Sequence, residues 1–269
     1  MITIFKIENI EQKIKQNQPV VGTHIKWTDS TIAEILAISG FDFVWIDSEH
    51  GIMTIETINN HIRAIQGGGA AAFLRVPWND PVRVKPYLEM GVDGIIFPFV
   101  NSRQDAERAV ASCLYPPEGI RGFGPGRINN YGFMDIDEYF EKAKQIWKIV
   151  QIEHIDAVNN LDEILTVRGI SAVVIGPYDL SVSMGLPAQI KSNEVKKQLD
   201  RAAEKCLEAG IPFGTSFSFD AEMVEEWYKR GASFVTLGGD QDFIRDGAAA
   251  TLANTLNIHD NGLNKPEHL

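Results

Sequence analysis

Four ionisable side chains stand at, or within a few residues of, the ends of short apolar segments of the chain. Asp47 and His50 follow one such segment, Glu153 follows a second and Asp179 follows a third. A strand that is apolar throughout and charged at its exit is typical of an α/β barrel, in which catalytic residues lie at the carboxyl ends of the strands. We therefore expect these four side chains to lie close together at the end of the barrel formed by the carboxyl ends of the strands, which we call the mouth.

Two of these carboxylates predict a metal site. Glu153 and Asp179 end the fifth and sixth predicted strands, which are neighbours in a barrel. Carboxylates held close together repel each other unless a cation lies between them or they share a proton. Oxygen ligands suit a hard divalent cation such as Mg²⁺ or Mn²⁺. The pattern favours a metal completed by water and a chelating substrate, with a proton-sharing pair as the alternative.

A candidate base and a cationic side chain are expected beside the predicted metal site. Histidine is the residue type suited to general base catalysis, so His50 is the candidate base; Asp47 could orient it or bond to water, and a surface histidine in a turn is the alternative. Arg75 emerges from the apolar segment 71–74, so its guanidinium needs a carboxylate partner or an anionic ligand. It could stabilise an oxyanion such as an enolate, or form a structural ion pair.

Other polar side chains at strand ends carry weaker signals. A lone carboxylate after a strand most often caps a helix, so Asp29 and Asp240 are interpreted as caps. Glu49 has no assigned chemistry and is expected to form a structural ion pair. His154 is interpreted as structural. The remaining polar residues at strand ends are His24, Gln151 and Ser216.

The elements that must position these residues alternate along the chain. Eight β-like segments alternate with helix-like segments, which predicts an α/β fold, a (β/α)8 TIM barrel, with an N-terminal capping helix at 6–16. The alternative, a doubly wound sheet, usually has a glycine-rich phosphate turn after strand one, and this chain has none. No Pro- or Ser-rich linker is present, so we expect one domain over 1–269, with its core at about 18–256. The last two strands are predicted at 211–215 and 233–237.

One long irregular loop interrupts this alternation, at residues 115–135. A loop of this length in a compact domain is usually functional or disordered. Its Arg121 and Arg127 could face an anionic substrate or be solvated at the surface.

Composition excludes some classes of partner. The net charge of -11 and the pI near 5.0 argue against a nucleic-acid or anionic-membrane partner, but not against a small anionic substrate. Cys113 and Cys206 lie on predicted helices without metal-ligand spacing, as expected for inert thiols in a reducing compartment. No signal peptide or long apolar run is evident, so a cytoplasmic location is expected.

Five motifs in a fixed order resemble the HpcH/HpaI aldolase family, the class II metal-dependent pyruvate aldolases. The resemblance covers residues 18 to 256. Each motif alone is weakly specific, whereas the ordered set is specific. The motifs are Val-Trp-Ile-Asp47-Ser-Glu49-His50-Gly, Leu-Arg75-Val-Pro, Tyr115-Pro-Pro-Glu-Gly-Ile-Arg121-Gly, Gln151-Ile-Glu153 and Ile175-Gly-Pro-Tyr-Asp179-Leu-Ser181.

The resemblance implies an activity and an assembly. It implies a (β/α)8 barrel that uses Mg²⁺, Mn²⁺ or Co²⁺ and reversibly cleaves a 4-hydroxy-2-oxo acid, through a metal-stabilised enolate, to pyruvate and an aldehyde. It also implies a homohexamer, a trimer of dimers, with a swapped C-terminal helix. The aldehyde is left open.

The resemblance also assigns roles to residues. Glu153 and Asp179 match the metal ligands, and His50 matches a base that works through a metal-bound water with Asp47 nearby. Arg75 matches the arginine that stabilises the enolate.

The substrate-binding assignments come with departures from the family pattern. Gln151 matches a substrate-contacting glutamine, and the backbone of Gly176, Pro177 and Tyr178 matches the segment that receives the pyruvate carboxylate. Tyr178 is bulkier than the residue often found there. Glu89 stands where the family pattern has an aspartate that pairs with the catalytic histidine, so the resemblance does not assign that pairing to this chain.

Two activities besides the aldolase are compatible with the sequence. One is an acyl-CoA ester lyase of the citrate-lyase type, which would need a nucleotide groove, and the other is a non-catalytic barrel that binds oxo acids. A Schiff-base aldolase is disfavoured because no lysine is assigned to a strand end.

Overall fold

The computed structural model describes residues 6–262, with side chains described from residue 6 to residue 258. Eight parallel strands close into a barrel in the order β1-β2-β3-β4-β5-β6-β7-β8, which confirms the predicted (β/α)8 fold. The strands are β1 Val20–Ile25, β2 Phe43–Asp47, β3 Ala71–Arg75, β4 Gly94–Phe97, β5 Trp147–Ile152, β6 Ala172–Ile175, β7 Phe213–Phe217 and β8 Phe234–Gly239.

Helices surround the barrel, and the first of them closes the end formed by the amino ends of the strands. In chain order they are α1 Ile7–Lys15, α2 Ser30–Ile38, α3 Ile55–Gly67, α4 Pro81–Glu89, α5 Arg103–Cys113, α6 Ile136–Lys144, α7 Ile155–Asn159, α8 Leu161–Leu165, α9 Pro177–Ser183, α10 Asn193–Glu208, α11 Ala221–Lys229 and α12 Asp240–Gly262. Helix α1 covers the amino ends of the strands with Ile7 and Ile10, as the sequence predicts for the capping helix.

Alternation along each strand decides which side chains enter the barrel. In β2, Phe43 and Trp45 pack in the inner cluster with α1, whereas Val44 and Ile46 pack outward against the helices. The same parity points Asp47 inward at the carboxyl end of the strand. Apolar inner residues thus form a packed floor beneath the polar mouth.

Close packing of that floor requires one glycine in β1. A Cβ on Gly22 would lie 2.2 Å from the Phe43 ring, so a larger residue would displace this aromatic side chain. Phe43 in turn packs near Phe73, with ring centroids 4.8 Å apart.

Strand β7 begins two residues later than the predicted start at 211. Pro212 has no N–H and cannot donate a hydrogen bond to the ladder, which explains a start at Phe213. Strand β8 begins at Phe234 and extends to Gly239, beyond the predicted end at 237.

Both loop arginines bind groups of the protein itself, and the buried Arg121 is not solvated at the surface, which was one of its two interpretations. A contact of either arginine with an anionic substrate stays a prediction. Arg121 is 3% exposed and donates to Glu89 from Nε at 3.2 Å and from Nη2 at 2.9 Å. Arg127 donates to the side chain of Gln66 and to the carbonyl of Met90. Within the described chain, Glu89 therefore pairs with Arg121. The loop also contains a short 3-10 helix, Arg127–Gly132.

Helix α12 differs from the helices that cover the barrel. Its side chains from 243 to 258 are mostly exposed, including the apolar Phe243, Leu252 and Leu256. The swapped C-terminal helix implied by the resemblance stays a prediction. Both cysteines are buried on helices, as predicted. Among the residues described, no helix is both long and apolar enough to cross a bilayer.

Candidate active site

An ion pair between β2 and β3 lies at the centre of the mouth. The strand register places Asp47 beside Arg75. Arg75 donates from Nε to Oδ1 at 3.0 Å and from Nη2 to Oδ2 at 2.7 Å, and Asp47 is fully buried. Burial alone would raise the pKa of Asp47, but the guanidinium outweighs it and lowers this pKa to about 2. Both groups are therefore charged at neutral pH.

Asp47 supports His50 through the backbone. Its Oδ1 accepts the backbone N–H groups of Glu49 and His50, each at 3.2 Å. The exposed imidazole of His50 lies instead 3.9 Å from the Glu49 carboxylate, measured from Nε2 to Oε2. Asp47 thus fixes the turn that carries His50, whereas the expected orientation of the ring by Asp47 does not occur in the structure.

Glu49 forms an ion pair, as predicted, and it does so inside the site. Its Oε2 lies 3.1 Å from Nη1 of Arg75. Burial raises the pKa of Glu49, and the nearby carboxylates of Asp47 and Asp179 raise it further, against the opposing effect of Arg75. Glu49 is therefore part of the charge cluster at the mouth.

Glu153 is a buried carboxylate at the end of β5. It is 2% exposed, and it accepts the Phe99 N–H at 2.9 Å and the Gln151 side-chain amide at 2.5 Å. Burial raises its pKa to about 7, opposed by the Phe99 hydrogen bond and helped by the carboxylates of Asp179 and Glu49. Positive charge from the protein thus only weakly opposes the effect of burial on Glu153, and a bound cation would favour its ionised form.

Gly176 allows the end of β6 to lie against Glu153. A Cβ on Gly176 would be 3.0 Å from the Glu153 Cβ and 3.5 Å from its Oε2. Helix α9 begins at Pro177, no side chain among the described residues caps its first turn, and Asp179 lies in that turn. Asp179 is exposed at the mouth.

The donor chemistry of the mouth fits a divalent cation. Carboxylates outnumber cationic side chains there by four to two, and the raised pKa values of Glu49 and Glu153 follow in part from this crowding; the groups are Asp47, Glu49, Glu153, Asp179, Arg75 and Lys26. The part of the chain described contains no group of three or more His, Cys, Asp and Glu side chains that could hold a metal. A two-carboxylate shell would therefore rely on water and substrate for its other ligands.

A cavity of about 310 Å³ opens at the mouth between β1, β7 and β8. His24 projects into it, stacks on Trp45 at 4.6 Å between centroids, and places Nε2 2.6 Å from Oγ of Ser216. Burial, assisted by Arg75, lowers the pKa of His24 to about 3, so its ring is neutral at pH 7. Tyr178 also lines this cavity.

Lys26 is a mouth residue that sequence reasoning missed. It directly follows β1 and lines the cavity, with Nζ 3.8 Å from Oδ2 of Asp47. Its position immediately after the first predicted strand is the sequence feature that could have identified it. The expectation that no lysine stands at a strand end is therefore wrong, and a Schiff base on Lys26 has to be tested by experiment.

Asp240 is not a simple helix cap. It is 2% exposed, and its Oδ2 accepts the backbone N–H groups of Lys26 at 3.1 Å and Trp27 at 2.8 Å. It therefore ties the end of β8 to the loop after β1. Asp29 does cap α2, since it accepts the Thr31 N–H, and His154 caps α7 by accepting the Asp156 N–H.

The closed barrel carries charged residues at the carboxyl ends of its strands, where (β/α)8-barrel enzymes have their active sites. Residues 21–246 match the family described as HpcH/HpaI aldolase/citrate lyase. The chain belongs to this family, and it is an aldolase-type lyase.

Relatives of known sequence and structure agree with this membership. The chain is 34% identical over 241 residues to a 4-hydroxy-2-oxo-heptane-1,7-dioate aldolase of Shigella flexneri, covering 89% of this chain and 90% of the relative. It is similar to the crystal structure of an HpcH/HpaI aldolase from Desulfitobacterium hafniense DCB-2, with a TM-score of 0.85, 28% identity and coverage of 91% and 95%. It is also similar to the citrate synthase SbnG, with a TM-score of 0.83, 29% identity and coverage of 93% and 98%.

Proposed function

We propose that this protein is a divalent-metal-dependent class II aldolase that reversibly cleaves a 4-hydroxy-2-oxo acid to pyruvate and an aldehyde. The observation that carries the proposal is the buried Glu153, with its raised pKa, in the same mouth as a guanidinium fixed by Asp47. The curated relatives are named for cleavage of an oxo acid of this class.

Glu153 and Asp179 would hold the cation, with Mg²⁺, Mn²⁺ and Co²⁺ as the candidates. When bound, the cation would act as a Lewis acid on the 2-oxo group of the substrate. Gln151 helps to orient Glu153 by donating a hydrogen bond to Oε2, and its own Oε1 is buried without a partner among the described residues. That oxygen is the atom of Gln151 that we assign to substrate contact.

Arg75 would face the oxyanion that develops as the carbon–carbon bond breaks. Three of its contacts fix the guanidinium plane, two to Asp47 and one to Glu49. Its remaining N–H donors can serve a substrate oxygen. A donor fixed before the reaction stabilises developing charge without reorganising, and this role requires the ion pair with Asp47.

His50 would remove the proton from the C4 hydroxyl of the substrate, directly or through a water. The C3–C4 bond then breaks. C4 leaves as the carbonyl carbon of the aldehyde, and the electron pair of the broken bond remains with the pyruvate fragment as its enolate. Protonation of C3 completes the reaction. The exposed imidazole beside Glu49 is accessible for both proton transfers.

The pyruvate carboxylate is assigned to the backbone of Gly176, Pro177 and Tyr178. The first turn of α9 lacks a side-chain cap among the described residues, so its amides are candidates for this contact. Tyr178 also lines the mouth cavity, and we propose that its bulk narrows the space for the substrate.

We assign the protein to the cytoplasm as a single-domain homo-oligomer, a hexamer built as a trimer of dimers. Exposed apolar side chains along α12 support subunit contacts by that helix. No nucleic-acid or membrane partner is proposed, because the net charge of -11 disfavours binding to either polyanion.

A lactate-dehydrogenase-coupled assay for pyruvate tests the proposal. It is run over a panel of 4-hydroxy-2-oxo acids with and without Mg²⁺ or Mn²⁺. Wild-type protein is expected to release pyruvate from at least one substrate, and Glu153→Ala is expected to be nearly inactive. Equal activity in the two proteins would remove the metal assignment.

Borohydride trapping separates this mechanism from a Schiff-base aldolase. Lys26 stands at a strand end, so pyruvate with borohydride is the direct test. No covalent adduct is expected. An adduct on Lys26 would replace the metal mechanism.

A non-catalytic oxo-acid-binding barrel and an acyl-CoA lyase would each give a different result in these assays. The binding barrel would bind pyruvate without EDTA-sensitive pyruvate release. The acyl-CoA lyase would show turnover only with a thioester substrate, and Lys26 and Arg75 are the cationic side chains that line the mouth cavity.

A further inference from the structure

A second cavity, of about 510 Å³, lies outside the barrel wall. It lies among the loop that follows α5, helix α6 and the segment before β6. Ligand pockets in proteins commonly have volumes of this order. The lining residues are Cys113, Leu114, Tyr115, Pro116, Glu118, Phe140, Ala143, Lys144, Lys148 and Gly169.

Lys148 is the unusual residue of this cavity. It is the second residue of β5 and points outward, with the same parity as Val150 and Ile152 in the cluster between strands and helices. Such positions are normally apolar. Lys148 is only 5% exposed, and burial lowers the pKa of its amine.

The Lys148 ammonium has no anionic partner among the described residues. Its Nζ donates to the carbonyl of Lys144 at 2.8 Å, and this contact is neutral. Glu118 lines the same cavity but forms no ion pair with Lys148 in the structure. A buried ammonium without a counter-ion is costly, and its other N–H groups still need acceptors.

The walls restrict what that acceptor can be. Tyr115, Phe140, Leu114 and Ala143 give the cavity an apolar and partly aromatic lining. Lys144 lies at the rim, and its Nζ pairs with Glu141 at 2.8 Å. One buried ammonium suits a single negative charge, whereas a phosphate dianion would require more donors than the cavity offers.

The geometry points to a second ligand site, in which Lys148 binds the carboxylate of a small organic acid whose aromatic or branched apolar body fills the cavity. Lys148 stands near the amino end of β5, and Glu153 follows five residues later, about 17 Å along the strand at the usual rise. The site is therefore separate from the catalytic mouth, and it does not rest on the proposed function.

Calorimetric titration of the full chain tests the site with two probes of the same shape. The probes are 3-phenylpropanoate and its neutral amide, 3-phenylpropanamide. The acid is expected to bind at least about tenfold more tightly than the amide, because a charge-assisted hydrogen bond in a buried site is worth about that factor or more. Equal affinities, or no heat of binding for the acid, would overturn the proposal.

Two lysine variants locate the binding. Lys148→Met removes the ammonium and keeps an apolar stem, and it is expected to weaken binding of the acid at least about tenfold. Lys142→Met, on the same helix as Lys144 but outside the cavity lining, is expected to leave the affinity unchanged. Binding that survives Lys148→Met belongs elsewhere, for example at Arg75, and would also overturn the proposal.

Two further measurements keep the test decisive if one variant folds poorly. The melting temperature of Lys148→Met without ligand is expected to equal or exceed that of wild type, since an unpaired buried charge is removed. Leu114→Trp fills the cavity from its half-buried wall and is expected to abolish binding of the acid. Retained binding in that variant would contradict the site.

Discussion

Asp47 binds Arg75 on the neighbouring strand through both carboxylate oxygens, at 3.0 and 2.7 Å, and the same carboxylate accepts the backbone N–H of His50 at 3.2 Å. One buried carboxylate thus positions both the fixed cation and the turn that carries the proposed base. The consequences of this arrangement can be measured residue by residue.

Arg75→Lys keeps the positive charge but loses the planar fork that both Asp47 oxygens recognise. We expect kcat/KM for pyruvate release to fall about 100-fold, the usual loss when a fixed donor to an oxyanion is removed. Arg103→Lys is the matched control, because Arg103 forms an exposed i,i+4 pair with Glu107. Similar activity of both variants would remove Arg75 from the mechanism.

Asp47→Asn leaves the Arg75 guanidinium buried without its counter-ion. Breaking a buried pair by removing one partner costs about 3 kcal/mol or more, so the free energy of unfolding should drop by that order in urea melts at pH 7. Asp29→Asn, a surface cap variant, should change it far less. Equal losses in the two variants would mean that the pair contributes little to stability.

The same variant predicts a pH dependence. Asp47 has a folded pKa of about 2, below its unfolded value of 3.8, so its ionised form stabilises the folded state. This contribution is fully present above the unfolded pKa of 3.8 and is lost as the pH falls toward the folded pKa of about 2. The difference in unfolding free energy between wild type and Asp47→Asn should therefore shrink below about pH 4. A difference that stays constant down to about pH 2.5 would contradict the assignment.

His50→Gln removes the proposed base and leaves the carboxylates of the proposed metal site in place. We expect kcat to fall about 100- to 10 000-fold, in the range of lost general base catalysis. Binding of Mn²⁺, measured by calorimetry, should be retained. His154→Gln changes a histidine that serves as a helix cap, and it should keep its activity.

Gly176→Ala tests the close approach of β6 to Glu153. An added Cβ would lie 3.0 Å from the Glu153 Cβ, so this carboxylate would shift and binding of Mn²⁺ should weaken about tenfold. Gly67→Ala is the control, since its Cβ would meet nothing within 4 Å. Unchanged affinity in Gly176→Ala would place the cation away from Glu153.

The barrel and much of the mouth could be predicted because an apolar strand with a polar residue at its end is visible in neighbouring residues of the sequence. Asp47, Arg75 and Glu153 each end an apolar segment, and a parallel barrel brings such ends together. For Arg75 the sequence left open a carboxylate partner or an anionic ligand. The strand register places Asp47 beside it as the carboxylate partner.

The residues that sequence reasoning misjudged depend on contacts between distant parts of the chain. Asp240 accepts the Lys26 N–H across 214 positions, and this contact sets the path of the loop that carries Lys26 into the cavity. Arg121 finds Glu89 across a loop of irregular conformation. No periodicity or spacing in the sequence encodes either partner.

The central claim is that this mouth generates a pyruvate enolate with the help of a divalent cation. The most direct test does not require the natural aldehyde: exchange of the pyruvate methyl protons for deuterium, followed by proton NMR in D2O. We predict rapid exchange with wild-type protein and Mn²⁺ or Mg²⁺, suppression by EDTA, and loss in both Glu153→Ala and Arg75→Lys. Exchange no faster than with the metal alone, or undiminished in EDTA, would contradict the account.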